Sequence, residues 1–322
     1  MKAAVYFNYG PPEVIQVKEI PKPDPKADEV LIRVFATTVN RTDHAMLRAI
    51  PCFSRIFIGL FKPKNPNLGT DFSGIVEEIG HAVTGFKIGD KVFGFEGLGI
   101  KSQAEYMVCS EKNAIIHMPA NCSFQEAAAA TEGAHYAINF INKVKLVRGQ
   151  KALVNGATGA IGSALVQLLV YYGTEVTATC HSKNTNLVYS FGAKNVIDFE
   201  KQDFTSSDQT FDYVFDAVGK STFGECKALL KPNGVYISSE LGPKSENIYL
   251  SLLGLVKSGK KVKFPYPYDI QASLILIKKL MEEGKFKPLI DREYPLADIV
   301  NAYVYVETGQ KTGNVIINLS LK

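Results

Sequence analysis

A chain of 322 residues has the length of about two domains, which excludes a peptide hormone or a single small module. Its 46% hydrophobic and 21% charged residues, with 26 Gly and 15 Pro, are those of an ordinary globular protein rather than a disordered or fibrous one. Thirty-six basic against 32 acidic side chains leave a net charge of +4, too even a balance for a nucleic-acid specialist.

The amino terminus, Met1 to Val17, reads as strand, turn at Gly10-Pro11-Pro12, and strand, without the pattern of an export leader. The five cysteines (Cys52, Cys109, Cys122, Cys180, Cys226) are odd in number and far apart, so a disulfide framework is not expected, and a cytoplasmic, reducing setting is. No apolar run approaches the roughly 18 residues that span a bilayer, so no membrane span is expected. Short β-branched runs such as Glu29 to Val34 and Phe72 to Ile79, punctuated by Gly and Pro, predict a small β-rich domain. The text changes at Ser123-Phe124-Gln125-Glu126, where Ser and Glu three apart form a capping box opening an Ala-rich helical segment to Lys145.

From Lys151 onward apolar strands alternate with helices: Ala152 to Asn155, helix Ala160 to Tyr172, Glu175 to Cys180, helix Asn186 to Phe191, Asn195 to Phe199, Asp212 to Val218 and Gly234 to Ser239. That alternation predicts a parallel sheet covered by helices on both faces. A helix over Ala272 to Glu283 follows, then a hairpin-like tail ending at Val315 to Asn318 that returns to the β-rich domain. The expected fold class is α/β, with residues 1–124 and 265–322 forming the β-rich domain and 125–264 the doubly wound one.

The strand Ala152 to Asn155 runs into Gly156-Ala157-Thr158-Gly159-Ala160-Ile161-Gly162 and then a helix with Ile161, Leu165, Leu168 and Leu169 on one face. Strand, glycine turn and helix in that order let a backbone approach a pyrophosphate at a helix amino terminus, so Gly156, Thr158, Gly159, Ala160, Ile161 and Gly162 are candidate dinucleotide contacts. About 20 residues on, an acidic residue would take the ribose 2′-hydroxyl of NAD. Here the strand ends Thr179-Cys180-His181-Ser182-Lys183, with no carboxylate between Glu175 and Asp198. Ser182 can donate to a 2′-phosphate and Lys183 can neutralise it, so NADPH is the expected cofactor.

With these motifs in place the chain resembles the medium-chain dehydrogenase/reductase superfamily, and within it the zinc-free quinone and enone reductases. The resemblance covers essentially the whole length. It is carried by Met1-Lys2-Ala3-Ala4 with Gly10-Pro11-Pro12, Asn40-Arg41-Thr42-Asp43, Gly69 to Gly74, Gly85 to Val92, Ala104-Glu105-Tyr106, Gly156 to Gly162 and Asp216 to Gly219. It implies a GroES-like β-rich catalytic domain and a Rossmann doubly wound parallel-sheet domain.

Zinc-dependent relatives carry Cys at the position of Asn40 and Gly-His-Glu at Gly69-Thr70-Asp71, so catalytic zinc is not expected, and structural zinc, which needs four closely spaced thiolates, is not expected where no two cysteines are near each other. The expected reaction is hydride transfer from NADPH to a quinone or an α,β-unsaturated carbonyl, whose charge spreads on reduction. A metal-free NADP alcohol or aldehyde dehydrogenase and a non-catalytic NADPH-binding sensor are the alternatives.

Asn40, at the lost ligand position, is the candidate donor beside nicotinamide or substrate. Tyr136, at the position where related enzymes usually carry a Thr, is a candidate hydroxyl donor to the nicotinamide or proton donor to the product, with His135 assisting it, helix packing being the alternative for both. Ala217, Val218 and Gly219, with Ser238 and Ser239, fall at the carboxyl edge of the sheet as cofactor lining. Phe264, opening the segment to Tyr268, and Lys311 with Asn314 resemble segments that close over the nicotinamide half. The apolar stretch Ala49 to Phe61 forms either a substrate mouth or a packing surface. The family commonly dimerises along dinucleotide-domain sheet edges, and Lys261 to Phe264 looks like such an edge.

Overall fold

Six parallel strands build the middle of the chain, in the order Asn195–Asp198, Glu175–Cys180, Lys151–Asn155, Phe211–Asp216, Leu230–Ser238, Lys261–Val262. Their inner members read as continuous apolar runs because parallel strands are covered on both faces. Leu153, Val214 and Tyr236 pack with Phe211, Leu230 and Val262 in one core. This computed structural model describes residues 1–254, 258–266 and 269–321; Pro267 and Tyr268, in the segment expected to follow Phe264, lie outside them.

The chain divides into two compact units, Met1–Glu132 with Asp269–Lys322, and Gly133–Tyr268. The sequence changes character earlier, at Ser123, yet the helix that begins there belongs to the first unit. Its Ala128 and Ala129 bury against Ala36 and Ile316, and Phe124 stacks on Phe35 at 4.4 Å. The helical segment expected to run to Lys145 is two helices, Phe124–Ala129 and Glu132–Ile141. Ser123 and Glu126 form the predicted capping box, and Thr131 turns its hydroxyl back onto the Ala128 carbonyl at 2.8 Å, where the first helix ends.

In the first unit the strand Glu29–Val39 is long enough to serve three neighbours. Residues Glu29 to Arg33 pair with Tyr106–Ser110, residues Ala36 to Val39 pair with Asn314–Asn318, and the other edge pairs with Asp71–Ile79. Register shifts at Leu31/Ile32 and Val34/Ala36 accommodate this. The tail is not a hairpin. Ile290–Tyr294 and Asn314–Asn318 are parallel neighbours joined through the helix Ile299–Glu307, a crossover that parallel strands require and a tight turn cannot supply. A further helix, Arg41–Arg48, sits among strands; its signal is the local pair Asn40 and Asp43, a complete capping box.

Candidate active site

The glycine turn is built as a cradle. Gly156 has φ +84°, and a Cβ there would lie 2.3 Å from Val218 Cγ1; a Cβ on Gly162 would lie 2.0 Å from the Gly156 carbonyl oxygen. Gly162 therefore lets the helix Ala160–Tyr171 close onto the turn. Gly159 caps that helix without a side-chain hydrogen bond, and a Cβ on it would meet nothing nearer than 3.8 Å. Thr158, Ala160 and Ile161 are half-buried beside it. The first turn of a helix carries N–H groups without intrahelical partners and a positive dipole end, so an uncapped start facing open space fits a pyrophosphate.

Three strand ends are wired together beneath the turn. Thr179 Oγ1 accepts from the Gly156 N–H at 2.9 Å and donates to Asn155 Oδ1 at 2.7 Å, while Asn155 Nδ2 donates to Asp216 Oδ1 at 3.1 Å. The fully buried Asp216 carboxylate also accepts from the N–H groups of Val218 (3.2 Å) and Gly219 (2.9 Å) on Oδ1. On Oδ2 it takes the Ser221 N–H and Oγ, both at 2.9 Å, and Tyr236 OH at 3.3 Å. Asp216 thus fixes the Ala217-Val218-Gly219 turn whose Val218 abuts Gly156. In the sequence this aspartate stands only as part of a motif, because its partners Asn155 and Tyr236 lie on other strands.

At the end of the next strand Ser182 Oγ donates to Glu200 Oε2 at 3.5 Å, and His181 Nε2 lies 3.1 Å from the same oxygen. Lys183 is exposed, with its N–H on His181 Nδ1 at 3.2 Å. The strand tip lacks a carboxylate of its own, but Glu200 arrives from the turn after the neighbouring strand, a placement the local sequence does not reveal. Ser238 Oγ accepts from the Glu240 N–H at 3.2 Å, whereas Ser239 Oγ is enclosed without a hydrogen-bond partner among the described residues. An orphaned hydroxyl at the carboxyl edge of the sheet is what a bound dinucleotide would satisfy. Phe264 is half-buried, its N–H on Ser251 Oγ at 3.3 Å and its ring 5.0 Å from Tyr266. On the helix Glu132–Ile141, the buried His135 meets Asn139 Nδ2 through Nε2 at 3.0 Å, and its ring centre is 5.6 Å from that of the half-buried Tyr136.

The first unit holds a second polar cluster. Asn40 is buried and its amide is committed: Oδ1 accepts the Asp43 N–H at 2.8 Å, and Nδ2 donates to Thr70 Oγ1 at 2.8 Å and more weakly to Thr38 Oγ1 at 3.4 Å. Asp71 accepts from the Thr38 N–H at 2.7 Å and from Thr38 Oγ1 at 2.6 Å. Thr42 Oγ1 donates to Glu132. Burial pushes the Glu132 carboxyl up to about 8 against the pull of that hydrogen bond, and the Asp71 carboxyl up to about 6. Asp43 is raised too, by burial and then by the charges of Asp71 and Glu132.

Lys311 belongs to this cluster. Burial pushes its ammonium down to about 8, opposed by the Glu132 charge, and it donates to the Gly313 carbonyl at 2.5 Å. Asn314 ties the tail to Leu289, whose carbonyl takes both its N–H and its Nδ2. Neither Glu132 nor the half-buried Lys311 is marked by local sequence as part of an acid–base group. Among the described residues no three His, Cys, Asp or Glu side chains are grouped to hold a metal ion.

Residues 26–132 match the family model of the alcohol dehydrogenase GroES-like domain, and residues 191–317 that of zinc-binding dehydrogenases. The chain is 31% identical to a 2-methylene-furan-3-one reductase of Solanum lycopersicum, over 99% of this chain and 79% of the relative. It is 29% identical to a chloroplastic NADPH-dependent alkenal/one oxidoreductase of Arabidopsis thaliana, over 98% and 79%. Among solved structures, the quinone oxidoreductase from Coxiella burnetii superposes with a TM-score of 0.87 at 26% identity, over 99% of both chains. The chain belongs to the medium-chain dehydrogenase/reductase superfamily, in its quinone and enone oxidoreductase branch.

Proposed function

We propose that this protein is an NADPH-dependent oxidoreductase that reduces a quinone or an α,β-unsaturated carbonyl without zinc. The observation that carries the dinucleotide assignment is the glycine cradle with its uncapped helix start; for the 2′-phosphate, the exposed Lys183 one strand away supplies the positive charge, and Ser182 must turn its hydroxyl from Glu200 to donate. Its relatives named for alkenal/one and quinone reduction support the acceptor class. NADPH, when bound, supplies the hydride.

The chain's own residues do the rest. Gly156 to Gly162 take the pyrophosphate, Lys183 and Ser182 the 2′-phosphate, and Val218, Gly219 and Ser239 line the sheet edge, with Ala217, Ser238 and Phe264 supporting them. Reduction of a conjugated acceptor leaves charge spread over an enolate or phenolate, so hydrogen-bond donors suffice where a simple ketone calls for a Lewis acid. Tyr136, backed by His135, is the proposed source of the proton that completes the product. Asn40 acts as a positioning residue: its amide holds Thr70 and the start of its helix rather than standing ready as a donor. Lys311, with Asn314 fixing its loop, sets the charge of the Glu132 cluster. Two copies pair along the sheet edge at Lys261–Val262, and the protein works in the cytoplasm. No helix among the described residues is long and apolar enough to cross a membrane.

The test is oxidation of NADPH and NADH by chelator-treated protein across quinones, enones, enals and simple aldehydes. Turnover confined to conjugated acceptors, with NADPH preferred, is the expected result. NADPH binding without turnover on any acceptor makes the protein a sensor, and alcohol oxidation restored by added zinc refutes the metal-free reading.

A further inference from the structure

The stretch after the helix Arg41–Arg48 is folded inside out. Residues Cys52–Ser54 and Arg55–Ile58 form two consecutive helical turns, and the chain continues through Gly59 to Lys64. Ile50, Phe53, Ile56, Phe57, Leu60 and Phe61 are all between 55% and 88% exposed, although Phe57 also lines one side of a pocket with Tyr6, Met46 and Leu68. Most of them recur at the three- and four-residue spacing of one helical face, the face an ordinary surface helix turns to the core.

The inward side carries polar groups beside the half-buried Ile58 and the buried Pro63. Ser54 Oγ and Arg55 Nε are enclosed without hydrogen-bond partners among the described residues, and the Arg55 guanidinium lies over the Tyr9 ring at 5.1 Å. Tyr9 OH donates to the Gly59 carbonyl at 2.7 Å, pinning the turn from below. Burying polar atoms while exposing three phenylalanines costs stability in water, so the arrangement is one that a non-aqueous contact would repay.

Charge identifies the contact. Between Asp43 and Asp71 the sequence contains no acidic residue, but it contains Arg48, Arg55, Lys62 and Lys64. Arg48 is paired with Glu307 and Arg55 faces inward, which leaves the exposed Lys62 and Lys64 at the end of the apolar face, neither in an ion pair among the described residues. A second copy meeting this patch across a two-fold axis would set lysines against lysines with no acid in the stretch to answer them. An anionic bilayer offers both complements at once: acyl chains for the phenyl and aliphatic groups, and phosphate headgroups for the ammonium groups.

We propose that residues 50–64 dock this protein onto the surface of an anionic lipid bilayer, with Phe53, Phe57 and Phe61 entering the headgroup and acyl boundary and Lys62 and Lys64 at the phosphates. The docking is peripheral and stands independently of the redox reaction.

The experiment is co-sedimentation of the full chain with vesicles of phosphatidylcholine, with and without phosphatidylglycerol. The wild-type protein is expected to bind the phosphatidylglycerol vesicles and to leave the neutral ones. Lys62→Gln/Lys64→Gln lowers that binding by about fivefold per lysine, and Phe57→Ser/Phe61→Ser lowers it tenfold or more at an unchanged unfolding midpoint. A fluorophore on the exposed Cys52, in a Cys122→Ser background, shifts to the blue on the anionic vesicles only.

Absence of binding to anionic vesicles overturns the proposal, as does binding that the phenylalanine variant leaves intact. A wild-type dimer that falls to monomers in Phe57→Ser/Phe61→Ser, with no vesicle binding, assigns the patch to a second copy. A raised KM for water-soluble acceptors without vesicle binding assigns it to substrate entry.

Discussion

Replacing Asp216 with Asn tests whether this carboxylate organises the cofactor turn. The two oxygens divide their work: Oδ1 takes Asn155 Nδ2 and the N–H groups of Val218 and Gly219, while Oδ2 takes the Ser221 N–H and the hydroxyls of Ser221 and Tyr236. An asparagine that keeps its oxygen on the first side turns an NH2 toward Ser221. The two hydroxyls can rotate to accept from it, but the Ser221 N–H cannot, and the opposite orientation would leave two backbone donors facing an NH2. One buried donor is therefore stranded at about 2 kcal/mol, and the remaining bonds lose their charge assistance, for about 3 kcal/mol in total. Denaturant unfolding followed by circular dichroism should show that loss. Because Val218 abuts Gly156, NADPH affinity measured by cofactor fluorescence should fall about tenfold, equal to about 1.4 kcal/mol. Asp216→Asn within about 0.5 kcal/mol of wild type, with unchanged NADPH affinity, would falsify the argument that this network holds the turn.

Other expectations rest on single contacts. Gly162→Ala places a methyl carbon 2.0 Å from the Gly156 carbonyl oxygen, so the helix must retreat from the turn; about 1–3 kcal/mol of stability and at least a tenfold loss in NADPH affinity should follow, read by unfolding and by titration. Lys183→Glu puts a negative charge at the strand tip and should raise KM for NADPH about tenfold while leaving KM for NADH nearly unchanged; equal effects on both would remove Lys183 from 2′-phosphate recognition. The Glu132 carboxyl, raised in the folded state to about 8, favours folding fully below its unfolded value near 4.5 and loses that contribution as pH rises through about 8. Lys311, lowered to about 8, contributes in the opposite sense, fully above about 10.5 and lost as pH falls through about 8. Glu132→Gln should therefore flatten the fall in stability between about pH 5 and pH 8, by a few kcal/mol at most, and an unchanged profile would remove Glu132 from the titration.

The elements that local sequence revealed are those held by local contacts. The capping box of Ser123 and Glu126 spans three residues, and the glycine turn with its strand and helix is contiguous, so both are visible in one stretch of text. The tail's sequence resembles a hairpin because its two strands are short and the helix between them, Ile299–Glu307, is rich in the same Val, Ile and Tyr residues that favour strands. The Ala-rich segment has the sequence of one helix because nothing in its composition marks the break at Thr131, where a hydroxyl folds back on a carbonyl.

The polar groups that escaped detection share one property: each gains its meaning from a partner far along the chain. Asp216 answers Asn155, Glu200 reaches Ser182, and the charge of Glu132 bears on Lys311. No periodicity encodes such pairs, since helix and strand patterns report which face is apolar and not which polar side chain will meet another. Asn40 shows the converse. Its position in the family pattern points to a functional donor, while Asp43 three residues on points to a cap, and the structure spends the amide on the cap and on Thr70. A side chain whose Oδ1 is fixed by a helix N–H gives up that cap when it swings toward a ligand, at a cost of about 1 kcal/mol. The hydroxyls that the Asn40 amide holds make Thr70 and Thr38 the next residues to substitute.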